Sequence, residues 1–492
     1  FYKISCMYKT ISTILYFFSI IILIPSLFIE YYKESIVFGL HGITIAFFAY
    51  IYAFFNKNKK KCSVVTYKDS VLLLMYIWII ISLISAIPFY LLINNITIAD
   101  ALFESVSGLT TTGSTIFEDI ESLSKPILLW RMLLHLIGGI GILTMTSFLI
   151  LKFKNEYYHS IQNDFATYYD KENNQNKNFS QQYILSCIAS IYFIILIACI
   201  ATYYFLGMNL FDAVCHGIST IATGGFANYN DSINHFNENK SLICAIIFFM
   251  LLSSLPMFNI YRIIALRDKK SLFDEQILYF LLIISISIIA LYFFFNLKYR
   301  ATLLEVTFTI TSIFSSTGFV LIDYEKWQYI GSLAVCLSFI GGCLGSTSGG
   351  IKILRFIIIF KSTGKNIFNF LHQNKKDNII INGKITNDET VIYSKGYFIL
   401  FIITFGISFL IISFLNPNGS FLTNFTAVSA TLTNSGPGLG GKIGAIGNYS
   451  SLSSSVKFLL SLLMIMGRLE IYPLLFMAMI GYYNMKKIII ND

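Results

Sequence analysis

The sequence predicts an all-α polytopic membrane protein of ten transmembrane helices. An N-terminal helical hairpin is followed by four pseudo-fourfold repeats, each a helix, a re-entrant pore loop and a second helix. Three observations carry this expectation. Hydrophobic residues make up 55% of the 492 and charged residues only 12%, with a mean hydropathy of +0.69, far too apolar for a water-soluble domain. Apolar runs of spanning length recur along the chain. Within each of the last four pairs of runs lies a short stretch rich in hydroxyl side chains and glycine.

Taken in order, runs at about 11–29 and 36–55 make the opening hairpin, which has no such stretch between its members. Pairs follow at about 70–93 and 127–151, 183–206 and 241–266, 276–297 and 329–360, and 395–415 and 455–483. The division is therefore 1–62 for the hairpin and 63–160, 161–270, 271–390 and 391–492 for pore repeats 1 to 4. Orientation follows from the basic residues. Of the 35 Lys and Arg, 25 fall on the termini and the segments between pairs, 8 on the connections within pairs, and Arg131 and Arg468 within runs. That asymmetry puts both termini in the cytoplasm and opens all four Gly stretches to the outside. The net charge of +9 reads as loop charge that sets topology rather than a nucleic-acid surface.

The four stretches are Ser105–Ser114, Ile218–Phe226, Thr311–Phe319 and Ala430–Gly438. With Gly113, Gly224, Gly318 and Gly436 as reference, they repeat at intervals of 111, 94 and 118 residues. Asp100, Asp212, Glu305 or Asn424 lies 12 or 13 positions before each glycine. A short helix would begin there, with the polar residue capping its free N–H groups and the acids favouring its positive end. A helix of about ten residues is too short to cross the bilayer, so it dips in and returns through the turn.

Irregular backbone at that depth has to be buried in protein or line water. Four such turns on one axis point carbonyl oxygens at one another, an arrangement a cation between them would stabilise. Thr111, Thr112, Thr223, Ser316, Thr317 and Ser435 place hydroxyl oxygens nearby, and acids of the outer connections, Glu118, Asp119, Glu121, Asp231, Glu238, Asp323 and Glu325, would concentrate cations in front of them. Two further features lie on trailing helices. Residues 341–350, Gly-Gly-Cys-Leu-Gly-Ser-Thr-Ser-Gly-Gly, break the third one on the cytoplasmic side of the turns; without a Gly-Lys-Ser/Thr ending they do not read as a phosphate loop. Arg468, near Glu470, is too costly to face lipid and points into the bundle or the pore. Arg131 reads as an interfacial anchor.

Eight cysteines without a CxxC and six histidines without an HExxH or paired spacing give neither a disulfide framework nor a metal enzyme. Paired carboxylates or a nucleophile beside a base at membrane depth are also missing, which speaks against a membrane enzyme. A proton- or sodium-coupled secondary transporter would show repeats of inverted topology, whereas these turns all open to one side.

The chain resembles the Trk/Ktr/HKT superfamily of potassium uptake proteins, and within it the TrkH type. The resemblance rests on Ser-Gly-Leu-Thr-Thr-Thr-Gly-Ser (107–114), Trp-Arg-Met-Leu-Leu-His-Leu-Ile-Gly-Gly-Ile-Gly-Ile (130–142), Ser-Thr-Ile-Ala-Thr-Gly-Gly-Phe (219–226), Gly-Gly-Cys-Leu-Gly-Ser-Thr-Ser-Gly-Gly-Ile-Lys (341–352), Thr-Asn-Ser-Gly-Pro-Gly (433–438) and Gly-Arg-Leu-Glu-Ile-Tyr-Pro (467–473). It implies one K+ pore with a filter of Thr111, Thr112 and Gly113; Ala222, Thr223 and Gly224; Ser316, Thr317 and Gly318; and Asn434, Ser435 and Gly436. It further implies an obstructing loop around Gly345, Ser346, Thr347, Ser348 and Gly349, with Arg468 contributing to permeation control. A homodimer is implied, together with a cytoplasmic nucleotide-binding regulatory ring of the TrkA kind, for which the polar stretches 155–182 and 361–387 are candidate docking sites. The location implied is the inner membrane of a bacterium. The transported ion is K+, and the nucleotide belongs to the partner, so no organic cofactor is expected in this chain. Ala222 and Asn434-Ser435 depart from a hydroxyl-rich pattern, which carbonyl coordination tolerates.

Overall fold

The computed structural model describes residues 4–55, 67–152, 181–299, 301–327, 336–371, 379–386, 388–440, 443–473 and 475. It is all-α apart from a two-residue antiparallel ladder pairing Ile380–Ile381 with Lys384–Ile385. Helices Ile4–Leu23 and Tyr32–Phe55 form the opening hairpin, seated on Trp130 by Phe18 and Phe38, whose ring centroids lie 6.1 and 5.7 Å from it. The leading helices of the four pore units are Tyr67–Leu92, Gln181–Phe205, Glu275–Tyr299 and Asp388–Leu415, and their pore helices are Ile98–Leu109, Leu210–Ile221, Leu303–Phe314 and Phe421–Leu432. Large side chains of the spanning helices such as Phe205, Phe293 and Phe414 are exposed, as hydrocarbon surroundings require and water would penalise.

Six helices are long and apolar enough to span a bilayer among the described residues, and Lys240–Ser253 with Met257–Ala265 makes a seventh if the bent pair is one span. Of the other expected crossings, 11–29 is carried by Ile4–Leu23 and the turn after it, and 329–360 and 455–483 lie partly outside the described residues. Only the third trailing helix was expected to break, yet three do. Residues 336–340 are helical, 341–352 are not, and helix resumes over Ile353–Leu371. The second trailing helix bends by 102° at Ser254–Pro256, where proline supplies no N–H. The fourth ends at Arg468, and Glu470 and Ile471 follow with φ of 64° and 55°, a conformation a β-branched residue adopts only under constraint.

These breaks serve one another. Cys343 N donates to Ser254 O at 3.0 Å and Met257 N to Gly345 O at 3.1 Å, so the loop of the third unit satisfies the backbone freed at the bend of the second. Irregular backbone at membrane depth is tolerable on that condition.

Each pore helix is capped earlier than expected, by three residues in the first three units and by four in the fourth. The caps are Thr97, Asn209, Thr302 and Ser420, each side chain accepting the N3 backbone N–H. Asp100, Asp212 and Glu305 are the N3 residues, and in the first and third units they return a bond to the cap backbone as a capping box. In the fourth unit N3 is Thr423, while Asn424 accepts from Asn416 at 2.9 Å.

Candidate permeation site

The backbone after each pore helix follows one pattern. A C-cap residue (Thr110, Ala222, Ser315, Thr433) leads into a residue of left-handed φ, namely Thr111 at 51°, Thr223 at 50°, Ser316 at 56° or Asn434 at 53°. Two positions on, a glycine again has positive φ: Gly113 at 82°, Gly225 at 82°, Gly318 at 81° and Gly436 at 92°. In between, the amides of Thr112, Gly224, Thr317 and Ser435 reach back to the carbonyls of Ser107, Ser219, Ser312 and Ala430 at 2.8–3.0 Å.

This geometry shifts the register read from the sequence. The counterpart of Gly113 is Gly225, not Gly224; Gly224 stands level with Thr112, Thr317 and Ser435, and Ala222 is the helix C-cap. Cap and glycine are then 16 residues apart in every unit, from Thr97 to Gly113, Asn209 to Gly225, Thr302 to Gly318 and Ser420 to Gly436. The Gly224-Gly225 pair hid the shift, because either glycine satisfies a pattern search.

The four turns close on one another. A Cβ placed on Gly113 would overlap the carbonyl oxygen of Gly224, one on Gly225 that of Thr317, one on Gly318 that of Ser435, and one on Gly436 would lie 2.7 Å from that of Thr112. Four equivalent carbonyls thus each abut the glycine of the neighbouring unit, in the cyclic order one, two, three, four. Glycine is required twice over, for its φ and for the approach. On the outer side Gly113, Gly225, Gly318, Glu118 and Tyr449 help line a cavity of about 240 Å³. Other outer acids are engaged: Glu325 accepts from Gly440 N at 2.8 Å and Asp119 from Asn230 Nδ2 at 3.0 Å.

Residues 341–350 lie directly beneath this ring. Gly349 N donates to Ser316 Oγ at 2.5 Å, Gly350 N to Thr433 O at 3.0 Å, and Thr347 Oγ1 to Ile221 O at 3.0 Å. Ser346 and Ser348 bond to each other at 2.7 Å. Arg468, buried, donates to Thr347 O at 2.8 Å and to Gly138 O at 3.3 Å. It does not pair with Glu470, which takes Arg355 at 2.6 Å instead. Lys352 Nζ donates to Ser348 O.

Arg131 is no interfacial anchor. It is fully buried and paired at 2.8 Å with Glu104 of the first pore helix, itself fully buried. Glu104 also accepts from Ile116 N at 3.0 Å, and Arg131 donates to Ala227 O at 3.2 Å, so the pair spans the outgoing strands of two turns. Sequence reading passed over Glu104, since a lone acid in a pore helix has no pattern; its partner 27 residues later is fixed only by the fold. Outside the membrane, burial and the Asp212 carboxylate that accepts its hydroxyl at 2.6 Å push the Tyr229 phenol above its ordinary range.

A bundle of apolar helices with four inward turns closing a carbonyl ring defines a transport protein of the membrane, not an enzyme. The comparisons with known proteins are specific. Residues 37–484 match the family model TrkH, described as cation transport protein, and the chain belongs to that family. It is 32% identical to the Trk system potassium uptake protein TrkG of Escherichia coli K12 over 94% of this chain and 95% of that one. It is 33% identical to the Trk system potassium uptake protein TrkI of Halomonas elongata, over 81% and 80%. The crystal structure of the potassium transporter TrkH from Vibrio parahaemolyticus superposes with a TM-score of 0.85 at 25% identity, covering 96% of this chain and 98% of that one.

Proposed function

We propose that the chain takes up K+ across the cytoplasmic membrane of a bacterium through the single axis where its four turns meet. The observation that carries the reading is the ring of Thr112, Gly224, Thr317 and Ser435 carbonyls, each held against a glycine of the next unit. Carbonyl oxygens so arranged replace an ion's hydration shell. The C-terminal ends of four pore helices beneath them favour a cation on its way through. The filter comprises Thr111–Gly113, Thr223–Gly225, Ser316–Gly318 and Asn434–Gly436, with the carbonyl of Ala222 one level deeper.

In this reading the 341–350 loop, with Gly345 to Gly349 at its centre, is the gate, and Arg468 holds it under the filter. K+ is cargo, and the chain's own groups suffice without an organic cofactor. The relatives' names speak of a Trk system; a homodimer bound to a cytoplasmic nucleotide-binding ring is what the resemblance of the sequence adds to this reading. The charge asymmetry supports cytoplasmic termini, and the division belonging to this reading is a hairpin, 1–62, with pore repeats 63–160, 161–270, 271–390 and 391–492. The chain is expected to rescue growth of a K+-uptake-deficient bacterium at low K+, and Gly113→Asp to abolish the rescue. Unchanged K+ flux through Gly113→Asp would sink the filter assignment. Flux at fixed stoichiometry with protons or Na+ would replace a pore with a coupled carrier.

A further inference from the structure

The four turns are not tied in the same way. In the first, the C-cap hydroxyl of Thr110 bonds that of Thr112 at 2.7 Å, and Ser107 Oγ donates to Ser114 O at 2.6 Å. The third repeats both bonds, Ser315 with Thr317 at 2.7 Å and Ser312 to Phe319 O at 2.7 Å. The fourth keeps Thr433 with Ser435 at 3.0 Å and takes Ser114 Oγ onto Gly436 O at 2.7 Å. The second has neither. Ala222 and Gly224 stand where the hydroxyl pair would be, and Ser219 Oγ, level with Ser107 and Ser312, is buried without a hydrogen-bond partner.

Another side chain fills that place. A Cβ built on Gly224 would overlap the imidazole of His135, whose Nδ1, Cε1 and Cγ are its three nearest atoms. Gly224 has no positive φ, so its backbone would accept a side chain; the imidazole alone among its nearest neighbours stands in the way. His135 comes from the trailing helix of the first unit, one turn after Arg131, and is fully buried with both ring nitrogens unpartnered. The two residues grip the outgoing segment of the second turn together. The imidazole lies 4.3 Å from the ring of Phe226, centroid to centroid, and the Arg131 guanidinium carbon 4.0 Å from it, while Arg131 also bonds Ala227 O. The second turn is therefore braced by packing from a neighbouring unit, where its counterparts are stapled by their own hydroxyls.

We propose that His135 is a positioning residue for ion selection: its imidazole stands in for the side chain missing at Gly224 and fixes the carbonyls of Thr223 and Gly224 at the distance the other three turns set with hydroxyl pairs. The inference rests on the K+ pore reading. A carbonyl free to move inward by a fraction of an ångström accommodates a smaller ion, so loss of the brace relaxes selection before it stops flux.

The test uses the full-length protein in K+-free liposomes, with K+ and Na+ flux measured separately. Wild-type protein that carries no K+ defeats the pore reading itself; everything below presupposes that it does. His135→Ala is expected to keep K+ flux but to lower the K+/Na+ flux ratio about tenfold, the change that about 1.4 kcal/mol of differential coordination brings. Gly224→Ala is expected to stop K+ flux, and Gly224→Ala with His135→Ala to regain it. Ala222→Thr and Gly224→Thr together with His135→Ala rebuild the pair seen at Thr110 and Thr112, and are expected to return the ratio to the wild-type value. An unchanged ratio in monodisperse His135→Ala protein, or full activity of Gly224→Ala with His135 in place, overturns the proposal. Should His135→Ala not fold, recovery of folded, K+-selective protein in the paired variant supports it and failure to recover overturns it.

Discussion

At the scale of single residues, the buried pair Glu104 and Arg131 has the clearest energetic consequence. Both are fully buried, and between them they hold Thr115, Ile116 and Ala227, the outgoing segments of the first two turns. Removing one partner of a buried pair leaves a charge without compensation and costs about 3 to 5 kcal/mol, whereas replacing both with neutral groups of similar shape costs far less. Arg131→Met is therefore expected to lower the unfolding temperature of the detergent-solubilised protein and to abolish growth rescue. Glu104→Gln with Arg131→Met should recover most of the stability but not the rescue, because the Ala227 carbonyl stays untethered. Equal stability of the single and double variants would contradict the pairing. Sequence reading could not reach this pair, since Glu104 and Arg131 obey no spacing rule and each alone resembles an ordinary residue at the edge of a membrane.

At the scale of elements, the loop 341–350 joins the units beneath the ring. Its break was legible because ten residues dominated by Gly, Ser and Thr interrupt an apolar run. The matching bend at Ser254–Pro256 and the turn at Glu470–Ile471 were not, since each occupies a few residues inside runs that stay apolar on both sides. The pore helices show the same division. Their existence followed from the hydroxyl-rich turns, yet in the first three units the caps lie three residues earlier than expected because acid at N3 imitates acid at the cap, and in the fourth Ser420 lies four before Asn424. Thr302→Ala removes the side-chain half of one capping box, the bond from Glu305 N, while the backbone N–H of residue 302 still donates to Glu305; it is expected to cost about 1 kcal/mol of stability, read as a modest fall in unfolding temperature with flux retained. Arg468 is a stronger lever. It bonds the gate at Thr347 O and the first trailing helix at Gly138 O, and a hydrogen bond from a charged donor contributes about 1.5 to 3 kcal/mol. Arg468→Gln should raise K+ flux of the isolated chain by about tenfold, the effect of about 1.4 kcal/mol on a two-state gate. A flux no greater than wild type, from protein of normal stability, would mean that Arg468 does not hold the gate shut.

For the whole molecule, closure of the ring is what the repeats achieve jointly, and it is also where sequence comparison went astray. Four glycines were legible as a set, but which of Gly224 and Gly225 belonged to the set was not, because register depends on a backbone angle and on a neighbour, Thr317, that is 92 residues further along the chain. The geometry now orders the four positions. Cβ atoms at Gly113, Gly225 and Gly318 would lie within 2.4 Å of a neighbouring backbone carbonyl oxygen, which cannot move without shifting the ring; at Gly436 the overlap, with Thr112 O at 2.7 Å, is the mildest of the four. Gly113→Ala, Gly225→Ala and Gly318→Ala are each expected to abolish K+ uptake, while Gly436→Ala, strained at φ 92°, retains a measurable fraction. Gly364→Ala and Gly406→Ala meet open space within helices, and should leave uptake intact while stabilising the protein by up to about 1 kcal/mol each. Uptake assays on this panel, normalised to protein in the membrane, separate a closed ring from four independent turns. In a ring, substitution in any one of the three tight units stops flux through all four, whereas independent turns would lose only a part each time.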